Sequence, residues 1–181
     1  MNAFPRHRRA WRPVIASAAA ALLLAGAPAM GQDASSGEQA TKAAMIYNFG
    51  RFTAWPDARF AGPADPVVLC VNPAAALAGP LQALAGKPVG GRTLVVRQTT
   101  QVDRTCTMAY VGAGAANDSY VAGLRDKGVL TIGEAPGFTH AGAIQLVTIG
   151  RQVRFEVNQQ NALAAGAHFS SNLLRLATAV H

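Results

Sequence analysis

Apolar positions recur along this chain with two periods, and the clearest succession runs from residue 129 to 180. Residues 129–132 (VLTI) form a short apolar, β-rich run stopped by Gly133, which reads as a buried strand. A loop follows over 134–142, because Pro136, Gly137 and Gly142 interrupt a ladder or permit positive φ. A hairpin comes next, turning at Gly150-Arg151. Ile144, Leu146 and Ile149 lead into the turn, and Val153, Phe155 and Val157 then alternate with Arg154 and Glu156, giving the second strand one wet face. Asn158 stands where a helix N-cap is wanted, residues 162–165 supply helix formers, and Gly166 ends them. Ser170 or Ser171 caps a last helix whose stripe is Leu173, Leu174, Leu176, Ala177 and Val180.

The upstream half yields to the same reading. Its first helix starts near Ser36 or Glu38 and reaches Trp55, since Pro56 disfavours a helical residue before it. Met45, Ile46, Phe49 and Phe52 give that helix a broad apolar surface, suited to core packing and in part to a protein partner. Strands are predicted over 67–71, 93–97 and 107–111. An Ala/Leu-rich helix follows Asn72-Pro73, bent or split at Pro80 and ending at Gly86, and a further helix covers 115–127. The succession describes a layered α/β sandwich with a mostly parallel sheet and an antiparallel C-terminal hairpin. Asn72-Pro73 and Gly112-Ala113-Gly114 fall at carboxyl ends of strands, where open sheets bind ligands. The second of these lacks the third glycine and the acid of a dinucleotide fingerprint, so it is read as a loop.

Charge changes the picture only after the N-terminus is set aside. Arg6, Arg8, Arg9 and Arg12, an apolar run over 14–26 and Ala27-Pro28-Ala29 have the form of a secretory leader cleaved near Ala29. The apolar run falls short of the ~20 residues a membrane-spanning helix needs. Of the sixteen basic residues four lie in this leader, leaving twelve against nine acids, a net charge of +3 instead of +7. The remaining Lys and Arg are scattered singly, which removes the argument for nucleic-acid binding. Residues 30–37 read as a disordered lead-in, and 38–181 as a single domain large enough for a proper core.

Candidate chemistry is sparse. Cys70 and Cys106, an even count in an exported chain, favour a disulfide over two buried thiols, although Cys106 lies several positions from Cys70 along a parallel ladder in simple register. The nucleophile elbow, HExxH, P-loop and CxxC patterns are all missing. With His7 in the leader and His181 terminal, only His140 and His168 lie inside the domain, too few for a zinc site, and nothing brings Glu134 and Glu156 together for acid–base work. The expectation is a protein without catalytic residues, metal or cofactor.

Several pieces together resemble the YfiR family: KAAMIYNFGRFTAWP, VLTIGEAPGF, the Gly142-Ala143-Ile144 strand entry, VRFEVN and SSNLLRLA. The resemblance covers nearly everything after about residue 38. It implies a periplasmic homodimer that represses an inner-membrane diguanylate cyclase by binding the cyclase's periplasmic sensor domain. It also implies that a peptidoglycan-associated outer-membrane lipoprotein can sequester the repressor, and it supports pairing Cys70 with Cys106. Two departures stand out. Residues 138–146 lack the second cysteine pair that some relatives carry, and Asn172 replaces a basic residue common among them.

A repressor without chemistry acts through contacts, so the expected partner surface is the aromatic end of the first helix, Phe49, Phe52 and Trp55, with Phe138 as a second candidate. The alternative is a stand-alone periplasmic small-molecule binder holding an anionic or aromatic ligand with Arg154, His168 and Arg175.

Overall fold

A computed structural model describes Met1 and residues 30–112, 114 and 117–181, with side chains from Ser35 onward. Apart from Met1 the expected leader lies outside the described residues, as do Ala113 and residues 115–116. Five parallel strands form the centre: β2 (Val67–Val71), β4 (Arg92–Gln98), β5 (Met108–Val111), β6 (Leu130–Gly133) and β7 (Ile144–Ile149). They are ordered β4-β2-β5-β6-β7, so the winding reverses between β2 and β5. Antiparallel β8 (Gln152–Val157) continues the sheet beyond β7 as the predicted hairpin, and two-residue strands close both edges, β3 (Pro88–Val89) beside β4 and β10 (Ala179–Val180) beside β8.

Alternation along the strands makes two cores. On one face Leu69, Val71, Met108, Ile132, Ile144 and Phe155 pack beneath α1 (Met30–Arg51) and α2 (Ala78–Gln82), which contribute Ile46, Phe49 and Leu81. On the other, Cys70, Ala109 and Val111 meet Val121 and Leu124 of α3 (Asp118–Arg125). Two short helices complete the chain. α4 (Gln159–Ala164) is capped by Asn158, whose side chain accepts from Asn161 N, and α5 (Ser171–Leu176) is capped by Ser170, which accepts from Leu173 N.

The second core is the thinner, nine buried residues against twenty-four, and the disulfide lies within it. Cys70 stands opposite Ala109 in register, three positions past Cys106, yet the two Cα atoms are 5.8 Å apart. A turn removes the offset: Cys106 N donates to Asp103 O at 3.1 Å, folding the segment before β5 back over Cys70. Arg97 holds this turn through Thr105 Oγ1 at 2.7 Å and Asp103 Oδ1 at 3.0 Å.

Four boundaries depart from the sequence reading. Helix α1 begins at Met30, inside the expected lead-in, since no proline interrupts its ladder. It ends at Arg51 and not at Trp55, because Thr53 and Ala54 pair as β1 (Thr53–Ala54) with β9 (His168–Phe169). The Ala/Leu-rich segment is helical only over Ala78–Gln82, its start being taken by a turn in which Asn72 Oδ1 accepts from Ala74 N at 2.9 Å. The last helix stops at Leu176: Thr178 N and Oγ1 both donate to Phe155 O at 2.9 Å, drawing Ala179 and Val180 alongside β8. Leu176 and Val180 are therefore exposed, while Leu173 is buried.

Candidate functional site

The widest gathering of aromatic and cationic side chains lies where α1 gives way to β1. Thr53 Oγ1 donates to Phe49 O at 2.6 Å and closes the last turn of the helix. The chain then pairs antiparallel with β9, Thr53 opposite Phe169 and Ala54 opposite His168. Pro56 starts a short 3-10 turn, Asp57–Arg59, that presents Phe60, and the Gly90-Gly91 turn between β3 and β4 presents Arg92. Together these segments enclose a cleft of about 660 Å³.

Phe52 and Trp55, both half-buried, line this cleft, and so does His168. The structure thus joins two expected partner residues to one from the alternative ligand set. Arg92 lies with its guanidinium carbon 3.6 Å from the Phe60 ring centroid, inside cation–π range, and donates through Nη1 to the carbonyls of Gly62, Pro63 and Asp65. Arg51 reaches over the rings of Tyr47 and Phe52 at 5.8 and 5.9 Å. Arg51, Phe60, Arg92 and Phe169 escaped the sequence reading. Arg51-Phe52 beside Trp55 was the available signal, whereas Arg92 and Phe169 are brought in by strand pairing and Phe60 by the 3-10 turn.

The other expected residues lie elsewhere. Phe49 is 1% exposed and packs at a tilt against Phe155, ring centroids 4.9 Å apart, so it is a core residue with no surface to offer a partner. Phe138 is 4% exposed, enclosed between Gly133 and Gly142: a Cβ on these glycines would fall 2.4 and 2.2 Å from its ring. The loop around Phe138 is held from α4. Asn161 Nδ2 donates to Thr139 O and Gly142 O at 3.1 and 3.0 Å, and Asn158 Nδ2 to Thr139 O at 3.0 Å. The GEAPGF and VNQQN segments are therefore a packing unit.

Arg154, His168 and Arg175 do not converge. Arg154 borders a separate cleft with Glu38 and Gly150, and Arg175 bonds Asn172 on its own helix. His140, Glu156 and His181 border a third cleft, with His181 Nε2 3.6 Å from Glu156 Oε2. Among the described residues no three His, Cys, Asp or Glu side chains are placed to share a metal ion.

Glu134 takes a structural place. Its carboxylate accepts from Lys42 Nζ at 2.7 Å and from Tyr110 Oη at 2.6 Å, and Lys42 also pairs with Glu38 at 2.8 Å. Burial, then the bond to Glu134, pushes the Tyr110 hydroxyl well above its usual range. For Lys42 burial works toward a lower pKa, and the hydrogen bonds to Glu134 and Glu38 outweigh it and raise the value.

No helix among the described residues is long and apolar enough to cross a membrane. No curated protein matches this chain. A family model described as YfiR/HmsC-like matches residues 39–178.

Proposed function

Because the chain belongs to the YfiR/HmsC-like family, periplasmic regulators of diguanylate cyclase signalling, we propose that it binds the periplasmic sensor domain of an inner-membrane diguanylate cyclase and holds that enzyme off. The observation that carries the reading is the family match across residues 39–178, which spans the sheet except β10 and the helices except the start of α1. Regulation of this kind needs only a difference in affinity for two states of the partner, and no catalytic group. In the same reading residues 1–29 are the export leader, the regulator acts as a homodimer, and a peptidoglycan-associated outer-membrane lipoprotein frees the cyclase by sequestering it.

The contact surface in this proposal is the cleft at the end of α1. Phe52 and Trp55 retain exposed ring there, whereas Phe49 and Phe138 are consumed by the core. The separation of Arg154, His168 and Arg175 gives the small-molecule alternative no common site. Phe49→Ala costs ~3 to 5 kcal/mol and lowers the melting temperature, as expected of a buried aromatic. Trp55→Ala and Phe52→Ala keep a near-normal melting curve, yet at least one loses repression in cells, read as raised cyclic-di-GMP. Two folded variants that both repress normally would remove the cleft from consideration.

A further inference from the structure

We infer that the cleft at the end of α1 takes an acidic segment of the protein partner that inserts one apolar side chain. The inference rests on the reading that this cleft is the partner surface.

Three cations elsewhere in the domain have acids to meet: Lys42 pairs with Glu38 and Glu134, Arg97 with Asp103, and Arg125 with Asp126. Arg51 and Arg92, the two guanidiniums that line the cleft, have no acid partner among the described residues. Asp65 Oδ2 accepts from Ala61 N and Gly62 N at 2.7 and 3.1 Å, and it is the carbonyl of Asp65 that accepts from the Arg92 guanidinium. Three carbonyls and the Phe60 ring hold Arg92 in place through one edge, leaving Nε and Nη2 without an acceptor among the described residues. A guanidinium fixed in this way loses little further freedom when it grips a carboxylate, whose two oxygens match the planar fork. Arg51 makes one hydrogen bond, from Nη1 to Asn48 Oδ1 at 3.3 Å, and is otherwise exposed. Asp57 is the single acid along the cleft, against two guanidiniums and the His168 imidazole.

Two further observations define the occupant. Trp55 Nε1 is buried and has no acceptor among the described residues, so a carbonyl or carboxylate brought into the cleft would complete it. Phe52, Phe60, Val67, Val89 and Phe169 supply an apolar lining able to receive one inserted side chain. A purely apolar partner would leave both guanidiniums facing a desolvated surface, and a basic one would meet like charge.

The test uses a fluorescein-labelled peptide of Glu and Gly carrying one Phe, and its counterpart with Lys for every Glu, each titrated against the protein by anisotropy. The acidic peptide is expected to bind, to weaken about tenfold in Arg92→Gln and in Arg51→Gln, and to be released as ionic strength rises. The Lys peptide is expected not to bind. Arg92→Gln also forfeits its carbonyl contacts, so exposed Arg51→Gln provides a variant that leaves folding untouched. Equal binding of both peptides, no binding of either, unchanged affinity in Arg51→Gln, or displacement by phenylacetate as effective as by the peptide itself would overturn the inference. In cells, loss of repression by Trp55→Ala with full repression by Arg51→Gln and Arg92→Gln would overturn the acidic complement alone. Full repression by all three would overturn the cleft as contact surface.

Discussion

Phe49 and Phe52 lie three positions apart, a spacing that puts two residues on one face of a continuous helix. They separate because α1 ends between them, at Arg51, after which Phe52 turns toward the cleft while Phe49 stays on the sheet. Nothing short of the pairing between β1 and β9 reveals that break, and for this reason the aromatic cluster was legible in the sequence while its division between core and surface was not. Phe138 teaches the same lesson from a loop. Its burial depends on the absent side chains of Gly133 and Gly142, which come together only when β6 and β7 pair. A methyl group at position 142 meets the Phe138 ring, which itself has no room to retreat. Gly142→Ala is expected to destabilise the domain by ~1 to 3 kcal/mol, measured by urea denaturation.

Strands of four or more residues were read from apolar runs, alternation and turn residues, and they appear within a residue or two of their predicted ends. The two-residue strands β1, β3, β9 and β10 carry no period, so pairing partners decide them. How α1 is fastened was equally hidden, because Lys42, Tyr110 and Glu134 meet across long stretches of chain. That fastening predicts a pH dependence. Both Lys42 and Tyr110 titrate above their ordinary values of 10.5 and 10.0 in the folded protein, so each holds its proton more tightly folded than unfolded. Their contribution is complete below about pH 10 and is lost as pH rises through the folded values. Denaturation at successively higher pH should therefore show stability falling beyond that point, with a shallower fall in Tyr110→Phe. An identical slope in the two proteins would remove Tyr110 from the account.

For the molecule as a whole, the disulfide matters because it lies in the thinner of two cores. The bridge spans 36 residues of sequence, and closing a loop of that length constrains the unfolded chain by ~4 kcal/mol. Changing Cys70 and Cys106 together to Ala should lower the melting temperature by about 10 °C in a scanning calorimeter. The succession of strands and helices was legible, and so was the resemblance that led to the family. The order of the strands was not, since hydrophobic period says which faces are buried and nothing about which neighbour lies beside which. That order leaves a sheet whose flanks are closed by β3, which contains Pro88, and by β10, a mere two residues long. These two flanking strands offer little backbone of their own for another chain to join, and they cover one end each of β4 and β8, a safeguard for any protein crowded at high concentration in a narrow compartment. The safeguard at one flank is thin: deleting residues 178–181 would bare the outer hydrogen-bonding groups of Phe155 and Val157 on a six-residue strand. The truncated protein should polymerise by strand addition, seen as rising light scattering and thioflavin fluorescence, while the intact chain stays clear.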